Sequence, residues 1–206
     1  MTPYFPATGP IEDEKMKRYD LLFAGVGGQG VLLASEVISA LAMNLGWDVK
    51  KSEIHGMAQR GGSVVSHVRI SETQVFSPTI PLGTATHLVS FEELETLRYL
   101  DHMSPEGLVI MNTQRVNPMT VLAGEATYPE NAAQLIGDRL RLIEVDGVAL
   151  AQKAGSAKAV NTVLLGVLSR HLPFHEDVWI TTFKEVVPAK ILDLNLEAFR
   201  LGRELE

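Results

Sequence analysis

The 206-residue chain contains no cysteine, which removes disulfides, a thiolate nucleophile, thiolate-bound zinc and the usual ligands of an iron–sulfur cluster from its chemistry. Any electron relay built on such clusters has to sit on another polypeptide. No run of residues is both long and uncharged enough to span a bilayer. The opening MTPYFPATGPIEDEKMKR carries acids and prolines where a signal peptide needs an apolar centre. Residues 1–17 are therefore expected to form a flexible lead-in, the cytoplasm is the expected compartment, and no membrane partner is expected. Positive charge is also short: 18 Lys and Arg against 25 Asp and Glu leave a net charge of -7 and a pI of about 5.4. That balance offers no general attraction to nucleic acid. Internal repeats and low-complexity tracts are absent, as are the Gly-x-Ser-x-Gly elbow, His-Glu-x-x-His, the Walker loop and the kinase signature. The six histidines (His55, His67, His87, His102, His171 and His175) show no metal-ligand spacing. His171 and His175 are four apart, but Leu172-Pro173 interrupts the helix that would align them.

What is present suits one globular domain over residues 18–206. The chain is 46% hydrophobic and 21% charged, with a mean hydropathy of +0.10. The densest signal runs from Arg18 to Arg69. An apolar strand, Leu21 to Ala24, stops at Gly25, Gly27, Gly28 and Gly30; Val31, Leu32, Ala34, Val37, Ile38, Leu41 and Leu45 then recur at helical spacing. A strand–glycine turn–helix unit lets backbone approach a ligand closely and aims the free amides of the first helical turn at any anion. The competing reading is a tight connection that needs glycine only for packing. Gln29, at the helix start, has an amide that can meet a ligand or a neighbouring subunit. The spacing Gly25-x-Gly27-x-x-Gly30, with Glu53 further on, formally matches a dinucleotide fingerprint. The context argues against it: after a second strand, Trp47 to Ile54, comes His55-Gly56-Met57-Ala58-Gln59-Arg60-Gly61-Gly62 and another strand, Ser63 to Ile70, where a crossover helix belongs.

That second loop supplies further candidates. Arg60, with Gln59 before it and Gly61 and Gly62 after it, offers a forked cation for a carboxylate or phosphate, or a salt bridge that fixes the loop or a subunit contact. His55 is a candidate acid, base or donor, or a structural strand-end residue. The short loop lets the two strands around it pair antiparallel, which favours a mixed sheet over a purely parallel one. Strands are further expected over Thr86–Phe91, Leu108–Met111 and Leu140–Val145, and helices over Glu92–His102, Glu130–Gly137, from the Asp146 N-cap, over Asn161–His171, over His175–Val186 and over Pro188–Leu205. Pro105-Glu106-Gly107 reads as a turn, and Asn112 to Thr127 carries no assignment. The expected fold is α/β, a three-layer Rossmann-like sandwich with a mixed, mostly parallel sheet.

GVGGQG and EIHGMAQRGGSVVSHVR together resemble the gamma-type domain of the 2-oxoacid:ferredoxin oxidoreductases. The resemblance runs from about Arg18 toward the C-terminus. HGMAQRGG favours the arylpyruvate (indolepyruvate) branch, while Ala159-Val160-Asn161-Thr162 and Asn195-Leu196-Glu197-Ala198-Phe199 also fit. The class signature for thiamine diphosphate, Gly-Asp-Gly followed by paired asparagines, is missing. The resemblance therefore implies a division of labour in which this chain is a small subunit that binds no cofactor itself and is inactive alone. A large (alpha) subunit would carry thiamine diphosphate, Mg and the 4Fe-4S clusters. The implied reaction is oxidative decarboxylation of an arylpyruvate with coenzyme A as co-substrate, giving acyl-CoA, carbon dioxide and reduced ferredoxin; pyruvate, 2-oxoisovalerate or 2-oxoglutarate as substrate, or an independent nucleotide-binding module, are the alternatives. Without its partner the isolated chain is expected to self-associate as a homo-oligomer.

Overall fold

The computed structural model describes residues 17–56 and 61–205. Its elements are β1 (Arg18–Val26), α1 (Val31–Asn44), β2 (Asp48–His55), β3 (Ser63–Ser71), β4 (Ala85–Ser90), α2 (Glu93–Arg98), β5 (Met103–Asn112), α3 (Met119–Leu122), α4 (Ala132–Gly137), β6 (Arg141–Val145), α5 (Gly147–Lys153), α6 (Val160–Ser169), α7 (Glu176–Val186) and α8 (Leu192–Arg203). The strands form one sheet in the order β2-β3-β1-β4-β5-β6. Pairs from β1 through β4 and β5 to β6 are parallel, whereas β3 lies antiparallel to both β1 and β2. The expected mixed, mostly parallel α/β sheet is thus the observed one.

Alternation along the central strand builds the three layers. Leu21 and Phe23 of β1 face a large core shared with α1, α6, α7 and α8, and Leu22 and Ala24 face a smaller one with Ile80, Met103 and Ile136. Strands covered on both sides read as nearly continuous apolar runs, which is why β1 is legible at once. The edge strand β2 is only partly buried and carries its charges early, at Asp48, Lys50 and Lys51. Every residue of α6 is buried, so it has no solvent-facing side. It crosses α8 so closely that a Cβ on Gly166 would lie 2.3 Å from the Phe199 carbonyl oxygen, and one on Gly202 2.0 Å from that of Val163. Glycine is what lets those backbones meet.

The connection from β3 to β4 is tied down by the sheet. The Arg69 and Asp20 side chains, 9% and 5% exposed, pair through Nε and Oδ1 at 2.9 Å. Arg69 Nη1 also donates to the carbonyls of Ser77 and Thr79, both at 3.0 Å. Asp48 accepts the Val75 amide at 2.7 Å, and His67 Nδ1 accepts that of Ile80 at 3.2 Å. A proline-punctuated segment is thereby held by three side chains of the sheet, with Asp20 fixing one of them.

Two readings need correction. Pro105-Glu106-Gly107 is not a turn ahead of a strand but lies inside β5: Met103 pairs with Ala85 and Leu108 with His87, so the intervening residues are looped out as an irregularity of one longer strand. The helix expected over Glu92–His102 is shorter, ending at Arg98, and the chain tightens into a 3-10 turn over Leu100–His102. The unassigned 112–127 stretch holds the end of β5 and the single-turn α3.

Removing one partner of the buried pair leaves a charge in a dry site. Asp20→Asn is expected to cost about 3 kcal/mol or more, and replacing Asp20 and Arg69 together by Asn and Met is expected to cost less than Asp20→Asn alone. Urea midpoints of the three proteins check both. Acid should also weaken the fold. Burial first, then the charges of His171 and Arg141, lowers the pKa of His87 to about 4, and burial likewise lowers those of His67, His102 and His171. A histidine held below its unfolded pKa contributes stability that is complete above about pH 6.5 and is lost as the pH falls through the folded value. For His87 alone that loss approaches about 3 kcal/mol by pH 4, so denaturant midpoints should fall between pH 6.5 and 4, with a shallower slope in His87→Gln.

Candidate functional site

The two glycine loops meet at the carboxyl end of the parallel strands, where open α/β sheets bind ligands. β1 ends at Val26, and the turn through Gly27, Gly28, Gln29 and Gly30 leads straight into α1. Gly28 and Gly30 have φ of 104° and 87°, a region that costs an ordinary residue about 1–2 kcal/mol. The second loop is stitched to the first: the Gly27 amide donates to the Gly62 carbonyl at 2.8 Å, and the Gly61 amide to that of Gly27 at 3.5 Å. Gly25 serves packing. A Cβ there would sit within 2.9 Å of Val31, Gln29 and Phe91.

Gln29 turns inward. Its Oε1 accepts the Val26 amide at 2.7 Å, while Nε2 donates to the Phe91 carbonyl and to Gln114 Oε1, both at 3.1 Å. Asn112 joins the same knot, donating to Phe91 at 3.0 Å and accepting the Gly147 amide at 3.0 Å. The side chain expected to meet a ligand or neighbouring subunit instead positions the ends of β1, β4 and β5. This is a correction to the sequence reading, with a plain cause: its carboxamide is already spent on these three partners.

Beside the turn lies a cavity of about 540 Å³ lined by Val26, Gly27, Gly28, Gly30, Val31, Leu32, Leu33, His55 and Val64. Its walls are aliphatic apart from His55, and backbone of the glycine turn supplies further polar groups. Gly30 caps α1 without a side-chain hydrogen bond, and the first turn of α1 holds no acid. Among the described residues the amides of Val31, Leu32 and Leu33 have no acceptor, which leaves the positive end of a 14-residue helix open toward an anion. His55 is exposed at the end of β2, its Nδ1 beside the Gly56 carbonyl at 3.2 Å. It is the one titratable group lining the cavity among the described residues. Gln59 and Arg60 lie outside the described residues.

Three buried side chains support the site. Asn161, 4% exposed at the start of α6, abuts the turn: its Nδ2 would be 2.9 Å from a Cβ on Gly30. Glu95, on α2, accepts the Ser63 hydroxyl at 2.5 Å and so fixes β3 where it leaves the second glycine loop. Burial raises the pKa of Glu95, with the Ser63 hydrogen bond and Arg98 acting in the opposite sense. Glu92 anchors the other rim, accepting the Tyr128 hydroxyl and, at 3.0 Å, the Val116 amide. The signal for Asn161 was its place in Ala159-Val160-Asn161-Thr162; nothing in the spacing pointed to Glu92 or Glu95.

The dinucleotide reading fails on topology. Glu53 would have to lie on the strand next to β1, but β3 intervenes, and Glu53 pairs with Lys51 at 3.0 Å.

Residues 20–205 match the family model described as pyruvate ferredoxin/flavodoxin oxidoreductase. The chain is 41% identical over 191 residues to indolepyruvate oxidoreductase subunit IorB of Archaeoglobus fulgidus, covering 90% of this chain and 94% of that protein. It is 28% identical to pyruvate synthase subunit PorC of Methanothermobacter marburgensis, over 90% of this chain and 96% of the relative. In structure it is similar to the pyruvate oxidoreductase subunit PORC of Thermotoga maritima, with a TM-score of 0.70 at 22% identity, over 91% and 96% of the two chains.

Because Gly30 combines a left-handed backbone with the Asn161 contact, Gly30→Ala is expected to cost about 1–3 kcal/mol. Adding Asn161→Ala should recover the steric part and leave the backbone part. A double-mutant cycle by thermal melting checks this, and strict additivity would contradict the contact.

Proposed function

The chain belongs to the pyruvate ferredoxin/flavodoxin oxidoreductase family, and from that membership we propose that it is the small subunit of an indolepyruvate (arylpyruvate):ferredoxin oxidoreductase. The observation that carries the choice of branch is the gap in identity: 41% to a subunit named for indolepyruvate against 28% to one named for pyruvate, over equal shares of this chain. The reaction served is the oxidation of an aryl 2-oxoacid by ferredoxin, with coenzyme A taking the acyl group and carbon dioxide leaving.

The redox chemistry belongs to the large subunit. An iron–sulfur cluster does not fit this chain's donor set, which has no cysteine and, among the described residues, no grouping of three His, Asp or Glu able to hold a metal. Thiamine diphosphate, Mg and the 4Fe-4S clusters are accordingly assigned to the partner.

What this chain supplies is a rigid glycine-lined rim. The cavity beside α1 has the character of a place for an anionic group with an apolar neighbour: free amides at one side, and Val26, Val31, Leu33 and Val64 at the other. A phosphate of coenzyme A and the surface of the large subunit are the two groups that meet this description. Gly27, Gly28 and Gly30 give backbone access, Gln29 and Gly25 hold the turn, His55 lines the cavity and Gly61 and Gly62 bond to the turn; Gln59 and Arg60 are candidates from the sequence alone. Leu32, 45% exposed on the cavity wall, belongs to the same rim.

Co-expression with the large subunit tests the assignment. The two chains should co-purify, and the complex should reduce ferredoxin with indolepyruvate faster than with pyruvate, 2-oxoisovalerate or 2-oxoglutarate, while this chain alone does nothing. A complex that prefers pyruvate would remove the arylpyruvate assignment; failure to co-purify would remove the subunit assignment. Leu32→Asp should lower coenzyme A-dependent turnover or association at least tenfold, about 1.4 kcal/mol, with the melting temperature of the isolated chain unchanged.

A further inference from the structure

At the opposite end of the sheet, where β4, β5 and β6 begin, a cleft of about 280 Å³ gathers Thr86, His87, Ser104, Glu106, Arg141 and His171. It is separate from the glycine rim, since His87 pairs with Leu21 near the start of β1, whereas the rim follows the end of that strand. We propose that this cleft binds a phosphate group as a small dianion, with Arg141 as the forked anchor, His87 and His171 as its imidazole partners and Ser104 as a hydroxyl donor.

The chemistry of the walls carries the assignment. Arg141, exposed at the start of β6, makes no ion pair or hydrogen bond among the described residues, so a guanidinium suited to bidentate contact with phosphate has its donors available. Thr86 orders His87: the Thr86 hydroxyl donates to the Asp20 carbonyl at 3.1 Å, which leaves its oxygen to accept from His87 Nδ1 at 2.9 Å. That bond favours the Nδ1–H tautomer of neutral His87, whose ring also meets the His171 backbone carbonyl. His87 is itself 7% exposed, a buried imidazole lining an open cleft.

The surrounding charges are mostly of one sign. Arg141 bears on both His87 and His171, Arg170 also bears on His171, and His171 bears on His87 through its charge and, in the opposite sense, through its backbone carbonyl. Around them stand Tyr19, whose ring centroid is 6.0 Å from that of His87, and Asp20, which is engaged by Arg69. Glu106 is the one carboxylate lining the cleft among the described residues and forms no salt bridge with Arg141 there. Burial and these cations keep both histidines uncharged near neutrality. A bound dianion replaces repulsion by attraction, so binding draws a proton onto an imidazole and becomes tighter as the pH falls.

Calorimetry of the full chain with inorganic phosphate, and with sulfate as a dianion that does not titrate, tests the site at pH 6 and pH 8. Saturable one-site binding of both is expected, tighter for sulfate at pH 6 by about tenfold, with proton uptake revealed by comparing two buffers. Arg141→Gln should weaken binding at least tenfold, about the strength of a charge-assisted pair, and His171→Gln should flatten the pH dependence. Arg139→Gln, outside the cleft, should change neither, and thermal melts confirm that each variant is folded. Absence of saturable binding, equal binding of acetate, sulfate affinity that does not change with pH, or indifference to Arg141→Gln would each overturn the proposal.

Discussion

The Gln29 carboxamide accepts the Val26 amide and donates to Phe91 and Gln114, and the rest of the functional rim depends on that one group. It closes the turn on itself, ties β1 to the exit of β4 and, through Gln114 and Asn112, reaches the exit of β5. Only with those three strand ends fixed can the glycine turn hold its left-handed residues while the helix amides stay free. A carboxamide suits the task because it carries both an acceptor and two donors on one rigid plane. A carboxylate at the same position could take the Val26 amide but would meet the Phe91 carbonyl with like charge.

Insertion of β3 between β1 and β2 is the second constraint, and it explains why a glycine spacing that fits a dinucleotide fold does not build one. The fingerprint needs an acidic strand end beside the glycine turn; here that place is taken by an antiparallel strand whose leading loop bonds to the turn through Gly61 and Gly62. The same strand brings Arg69 to Asp20 and His67 to Ile80, so one insertion both displaces the usual ligand partner and supplies the anchors for the long connection to β4.

Much of this was legible because burial on both faces writes long apolar runs. β1, β4, the second half of β5 and α6 stand out for that reason, and Asp146 was readable as a cap, which it is, accepting the Ala149 amide at 3.0 Å. The antiparallel pair around the second glycine loop followed from loop length alone. Local chemistry misled where tertiary pairing overrode it: Pro105-Glu106-Gly107 carries turn residues, yet β4 holds both flanks in register and the segment is looped out inside a strand. Within the site, the glycines were visible as residues that need unusual backbone. The supports were not, because a buried glutamate such as Glu92 or Glu95 looks in sequence like any solvated helix-start acid, and only the fold reveals that it takes a tyrosine or serine hydroxyl.

The glycine crossing of α6 and α8 has a consequence for synthesis. Helix α6 is buried on every side, and the face that receives Gly202 stays uncovered until α8 has been made, with α7 and its flanking turns translated in between. The nascent polypeptide thus leaves the ribosome with an open greasy groove through the last stretch of translation. A transcript cut short before Gly202 yields a chain whose sheet can form while its central helix lies bare, a species made for chaperone capture or aggregation.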